Sequence, residues 1–153
     1  MPITPLSSRP TFDSNPKLNK LAIDIQDLLS AIEKKEIPEE PAKIINSLVE
    51  EVNSLEARDK ELINALRSTK KKIITLLEKE LKIVPIGYYQ QQWMILGMTS
   101  IGLPLGVAFG VAMGNMAFLG IGLPIGMSVG IGIGTSKDNQ AKKEGRQLDW
   151  KMK

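Results

Sequence analysis

The chain has no histidine and no cysteine among its 153 residues. These two absences remove the usual zinc ligands, a thiol nucleophile, any disulfide and the side chain that exchanges protons near neutral pH. Charge is missing from one long stretch: Ile83 to Ser136, 54 residues, contain no Asp, Glu, Lys or Arg. Residues 1–82 hold 14 basic and 14 acidic side chains and cancel, so the net charge of +3 comes entirely from residues 137–153, with six basic and three acidic. A nucleic-acid-binding surface, which needs a concentrated basic face, is not indicated. The Ser, Lys, Asp and Glu residues present fall in solvated helical patterns, without a nucleophile elbow, a phosphate loop or a carboxylate-rich metal motif. The glycines repeat every four residues with no strand before them, unlike a dinucleotide loop. No catalytic residue, cofactor or metal site is expected, and an enzyme is the weakest functional class.

What remains is segregated along the chain. Residues 1–16 carry Pro2, Pro5, Pro10 and Pro16 among small polar side chains, a composition that buries little apolar surface and reads as a flexible arm. No apolar run of secretory-signal type precedes Lys17, so the amino-terminal half is expected in the cytoplasm.

Residues 17–83 read as a cytoplasmic two-helix, coiled-coil region. Asn15-Pro16 suits a helix cap followed by proline at the first helical position. Leu18, Leu21, Ile25, Leu28 and Ile32 then recur at spacings of three and four, forming one apolar stripe. Ile37-Pro38-Glu39-Glu40-Pro41 breaks the pattern and starts a second helix. That helix carries Ile45, Leu48, Val52, Leu55, Leu62, Leu66, Ile73, Leu76 and Ile83 on a heptad-like grid, with Asp59, Thr69 and Glu80 where the grid fails. As one rod, residues 39–83 would extend about 68 Å. Helix 1 can cover only its first half, so the stripe beyond Leu62 is expected to pair with other copies. Arg67, Lys70, Lys71 and Lys72 read as a solvated basic face.

Residues 84–136 read as a transmembrane hairpin. Between Trp93 and Ser136 lie 44 residues, of which 25 are apolar and 11 are glycine, enough for two spans of about 20 residues each. These are placed at residues 93–114 and 117–136, with Asn115 in the turn. Tyr88, Tyr89 and Trp93 suit the lipid interface at the entrance, and Phe118 suits the far side. Lys79 and Lys82 flank the first span, and Lys137, Lys142, Lys143 and Arg146 the second. Both flanks being basic, both termini are expected in the cytoplasm, with residues 137–153 a basic tail. In that tail Lys142, Lys143, Arg146, Lys151 and Lys153 read first as topology-setting charge; the alternative is that they meet anionic headgroups, with Trp150 inserted beside them.

The hairpin is also a duplication. Ile101-Gly102-Leu103-Pro104-Leu105-Gly106, followed by Gly110 and Gly114, matches Ile121-Gly122-Leu123-Pro124-Ile125-Gly126, followed by Gly130 and Gly134, at a shift of 20 residues. A spacing of four places these eight glycines on one face of each helix, where the absence of Cβ lets another backbone approach closely. Pro104, in mid-span, removes a hydrogen bond to the Ser100 carbonyl and predicts a kink.

On these residues the chain resembles the glycine-zipper membrane proteins of bacteria, whose GxxxGxxxG helices oligomerise. The resemblance covers residues 93–148; the helical cytoplasmic half resembles no family. It implies homo-oligomeric packing through Gly102, Gly106, Gly110, Gly114, Gly122, Gly126, Gly130 and Gly134, in an inner membrane. Two functions follow as expectations. One is a homo-oligomeric pore or permeabilising effector, defence-related or toxin-like, with a coiled-coil collar. The other is a membrane-anchored coiled-coil adaptor whose residues 17–83 recruit a cytoplasmic protein. Membrane lipid is a partner in both.

Overall fold

The structure, a computed structural model, describes residues 1–152; the tail's Lys153 lies outside them. The fold is all-α apart from one pair of short strands, β1 (Val84–Ile86) and β2 (Gln147–Lys151). The chain divides into two compact units. Met1–Val84 joins with Leu148–Lys151 in the first, and Pro85–Gln147 forms the second.

The first unit is a bundle of three principal helices, α2 (Pro16–Glu33), α3 (Glu39–Ser54) and α4 (Asp59–Leu76), preceded by a single short turn of helix, α1 (Pro10–Ser14). Asn15 caps α2, its side-chain oxygen accepting from the Lys17 N–H at 3.0 Å, and Pro16 follows at the first helical position. Leu18, Ile25, Leu28 and Ile32 are buried as their spacing requires. The expected rod over residues 39–83 does not exist. Residues 55–58 leave the helix, α4 turns back to pack on both α2 and α3, and it ends in a wide π turn at Leu77–Leu81. Of the stripe expected to pair with other copies, Leu62, Leu66 and Ile73 are at most 1% exposed within a single chain, while Leu76 and Ile83 are half-buried. A single helix has no covering for that stripe, whereas a break after Ser54 lets the chain bury it on itself.

What ends α3 lies far away in sequence. The Arg9 guanidinium donates to the carbonyls of Leu55 (2.6 Å), Val52 (2.8 Å) and Asn53 at the helix end, the Val52 carbonyl also taking the Leu55 N–H at 3.2 Å. A cation placed there also opposes the negative pole of the helix. The arm carrying Arg9, read from its composition as flexible, is docked on the bundle. Ile3 and Phe12 are buried, and the backbone of residues 2–7 is hydrogen-bonded by the side-chain amides of Gln26, Asn46 and Asn53. Those amides supply the partners that proline-rich backbone cannot find in a helix or sheet. Arg9→Ala should lower unfolding stability by about 1.5–3 kcal/mol, the range for hydrogen bonds made by a charged group. Urea unfolding followed by helical circular dichroism measures it.

The tail also differs from expectation. Leu148 and Trp150 are 1% and 5% exposed, so Trp150 is committed to the protein core and not to lipid. Within the first unit the Trp150 ring lies 4.9 Å beneath the Lys70 ammonium, which is paired with the buried Asp24 carboxylate. Lys70, read as part of a solvated face, is mostly buried.

The second unit is an antiparallel hairpin. Its first arm is α5 (Tyr88–Gly97), a π turn (Met98–Gly102) and α6 (Leu103–Ala112); its second is α7 (Leu119–Lys143), reached through a 3-10 turn at Met116–Phe118. The helical segments Tyr88–Ala112 and Met116–Lys143 are each long and apolar enough to cross a membrane.

Candidate functional site

The two arms of the hairpin meet along a seam made almost wholly of glycine backbone. Gly97, Gly102, Gly106 and Gly110 are the buried residues of the first arm after Tyr88; Gly122, Gly126, Gly130 and Gly134 are those of α7 before Asp138. A Cβ on Gly122 would stand 2.6 Å from the Gly106 Cα, and one on Gly126 2.6 Å from the Gly102 Cα. A Cβ on Gly130 would stand 2.7 Å from the Trp93 carbonyl carbon, and one on Gly134 2.6 Å from the Tyr89 oxygen. No side chain fits at these positions without moving a backbone. Each glycine costs roughly 1 kcal/mol of helix propensity against alanine, a cost offset by dispersion and Cα–H···O contacts between backbones this close.

The seam differs from the repeat in two places. Gly97 belongs to it although it lies five residues before Gly102, out of step with the period of four. The π turn at Met98–Gly102 accommodates one extra residue, so Gly97 and Gly102 stay on one face. The same wide turn precedes Pro104, which is exposed and lies in the first turn of α6. The disturbance expected at Pro104 thus takes the form of a change in helical pitch ahead of the ring.

Gly114, by contrast, is not a seam residue. Its φ of +64° places it just past the end of α6 with nothing within 4 Å of its missing Cβ. The Asn115 N–H reaches the Gly110 carbonyl at 3.0 Å and the Gly114 N–H the Val111 carbonyl at 3.2 Å, the paired bonds of a left-handed helix stop. Gly114 keeps the period of four but is there to end a helix. Asn115 then caps the 3-10 turn through the Ala117 N–H at 2.9 Å.

One step beyond Gly134 the series continues in a carboxylate. Asp138, 8% exposed, accepts the backbone N–H groups of Tyr89 (3.1 Å) and Gln90 (2.9 Å). These are first-turn donors of α5, whose own cap residue, Gly87, has no side chain to offer. Asp138 caps α5 from the neighbouring helix and fixes the register of the seam at its charged end. Sequence reading passed over it, although its place at 122, 126, 130, 134, 138 was a usable signal. Asp138→Ala should cost about 0.5–2 kcal/mol, the range for a lost helix cap, and amide exchange at Tyr89 and Gln90 should accelerate selectively.

The expected interface residues divide. Tyr88 is only 9% exposed and packs edge-on against Tyr89, with ring centroids 5.4 Å apart, so its ring is mostly covered by its own chain. Tyr89 and Trp93 are half-buried, and the Lys137 ammonium lies 5.4 Å over the Trp93 ring. Lys142 and Lys143 are exposed. Arg146 is engaged by Glu144, its Nε donating to the carboxylate at 2.7 Å. The Gln140 amide, then Arg146, hold the exposed Glu144 carboxyl below its ordinary range, and the hydrogen bond to Glu144 in turn raises the Arg146 guanidinium. The sign is that of a depressed acid: any stabilisation is present above the ordinary carboxyl range and lost as pH falls through the lowered value.

The outer surface of the hairpin is the inverse of a soluble protein. Leu103, Val107, Phe109, Ile121, Ile125 and Val129 are exposed while the seam glycines are buried, and contiguous exposed apolar side chains mark a surface that meets a partner or a membrane. Among the described residues no cluster of His, Cys, Asp or Glu is arranged to hold a metal ion. Compared with known proteins, the chain matches no family model, no curated protein and no solved structure, so its functional reading rests on this geometry.

Proposed function

We propose that the chain is a membrane-anchored adaptor: the glycine-seamed hairpin crosses the bilayer twice, and the helical unit joined to it binds a partner protein. The observation that carries this reading is that the glycine faces are used up inside one chain. Lipid is as apolar as leucine, so helices associate in a bilayer where backbones can come close. Gly102, Gly106, Gly122 and Gly126 already have backbone against them. The glycines of the hairpin with open space at the missing Cβ, Gly114, Gly120 and Gly132, form no second ridge at a spacing of four. The outward apolar side chains suit lipid contact, and the basic residues at both ends suit termini on the cytoplasmic side of an inner membrane.

The competing proposal, a homo-oligomeric pore or permeabilising effector, has less support. Most of both stripes offered for assembly is covered within the chain: seven of the eight glycines, and Leu66 and Ile73 beyond Leu62. The stretch 83–136 has no Asp, Glu, Lys, Arg or His, which argues against a proton relay, voltage sensor or ion-coupled transporter in either reading. The test is the protein mass of detergent-extracted material together with dye leakage from liposomes containing it. The adaptor reading expects one 16.8 kDa chain per particle and leakage at the level of empty liposomes. An oligomer that releases dye would establish the pore instead.

A further inference from the structure

The arm is held to α3 by a repeated device. The Asn46 side-chain amide donates to the Pro2 carbonyl at 3.0 Å and accepts from the Thr4 N–H at 2.8 Å. The Asn53 amide does the same one unit along, donating to the Pro5 carbonyl at 3.1 Å and accepting from the Ser7 N–H at 2.8 Å. Each amide grips a Pro-x-Thr/Ser triplet by the carbonyl of its first residue and the N–H of its third. The two triplets are three residues apart, and the two asparagines seven. Seven residues of helix advance about 10.5 Å and three residues of polyproline-type chain about 9.3 Å, so helix and arm stay in step over the whole contact. From α2, Gln26 adds one bond, accepting the Leu6 N–H at 3.0 Å.

The recognition is addressed almost entirely to backbone. Of residues 1–8 only Ile3 is buried, beside a cleft of about 230 Å³ lined by Pro5, Gln26, Leu29, Ser30 and Glu33. The contacts at Asn53 are exposed to solvent. Residues 2–8 carry no charged side chain, and the groups that grip them are neutral amides. Proline at the first position of each triplet presets the extended backbone and leaves no N–H in need of a partner. Any neutral segment with proline at every third residue and a free N–H two residues later presents the same pattern. The exposed contacts at Asn53 open more readily than the part-buried ones at Asn46, so release of the arm starts from its Pro5–Ser7 end.

We infer that the Asn46–Asn53 face of α3 is a recognition groove for a proline-rich extended segment of another protein, neutral and built on the Pro-x-Thr/Ser triplet, and that the chain's own arm occupies it as an internal ligand. This rests on the adaptor reading and names its partner class. Partner and arm compete for one groove, so capture releases the arm. Arg9, which ends α3, lies outside the triplets and stays in place during the exchange.

The probe is the synthetic octapeptide Met-Pro-Ile-Thr-Pro-Leu-Ser-Ser, fluorescently labelled and titrated by anisotropy against the full hairpin-containing chain in nanodiscs. One form lacks residues 1–8 and keeps Arg9. A second, untruncated form carries Thr4→Pro and Ser7→Pro, which delete the two N–H groups the asparagines accept. The second form decides the matter if the first misfolds. Saturable binding to an arm-released form is expected, at least 10-fold weaker on the intact chain and at least 10-fold weaker when Asn46→Ala and Asn53→Ala are added. Absence of saturable binding by a released form with intact helicity would overturn the inference, as would binding indifferent to the two asparagines. Co-purification of two differently tagged intact chains through exchanged arms would assign the groove to a second copy and also overturn it. A leaking oligomer in the liposome test sinks the adaptor reading without touching peptide binding, so the two failures are separable.

Discussion

Gly126→Ala should destabilise the hairpin by about 1–3 kcal/mol, whereas the same substitution at Gly132, six residues along the same helix, should be neutral or stabilising by up to about 1 kcal/mol. The chemistry of the two changes is identical, and only the surroundings differ. A Cβ on Gly126 would lie 2.5 Å from the Gly102 nitrogen, so one backbone must retreat from the other, and every glycine contact beside it loosens. A Cβ on Gly132 meets nothing within 4 Å, leaving only the gain in helix propensity. Thermal unfolding of the hairpin in detergent, monitored at several protein concentrations, gives both values. If the glycine faces join separate chains, the Gly126→Ala loss would grow on dilution; a seam within one chain makes it independent of concentration.

Lys70→Ala should cost about 3–5 kcal/mol, the penalty for leaving one member of a buried ion pair without its partner. Asp24 is 5% exposed, and one of its oxygens, Oδ1, has no hydrogen-bond partner, so Lys70 is its principal compensation. The same change strips the cation from the face of Trp150. Replacing both members, Asp24→Leu with Lys70→Met, should recover most of the loss, because well-packed apolar side chains often replace a buried pair at no net cost. Chemical unfolding of the wild type, both single variants and the double variant forms the cycle. A Lys70→Ala cost under about 1 kcal/mol would show that the pair is effectively solvated, as surface pairs are.

The sequence shows the hairpin and its glycine series because both are local patterns of charge, length and period, while the helices run over Tyr88–Ala112 and Met116–Lys143 where spans at 93–114 and 117–136 were expected. It does not show which surface the glycines meet, since a stripe without Cβ is equally ready for a neighbour in the same chain or another. The shift of 20 residues drew attention to eight glycines. Geometry keeps seven of them, adds Gly97 through a π turn and assigns Gly114 to a helix stop. In the amino-terminal half the heptad grid was legible but its interruption was misjudged. Asp59, where the grid failed, is the first residue of α4 and accepts from the Asn15 side chain at 2.8 Å. Acidic residues belong at such starts, so the failure was itself the sign of a new helix. The docking of the arm was not legible at all. It depends on Arg9, Asn46 and Asn53 meeting across more than 35 residues, and no local period encodes that.

The most direct test uses the absence of native cysteine. Cysteines introduced at Gln91 and Thr135, both exposed and adjacent to the Gln90–Gly134 contact, can be spin-labelled without competing sites. Double electron–electron resonance on the doubly labelled chain, diluted with an excess of unlabelled chain in lipid, should give one short distance whose amplitude does not change with dilution. A short distance that fades as unlabelled chain is added, or a long distance within the chain, would place the glycine faces between copies and contradict a hairpin sealed on itself.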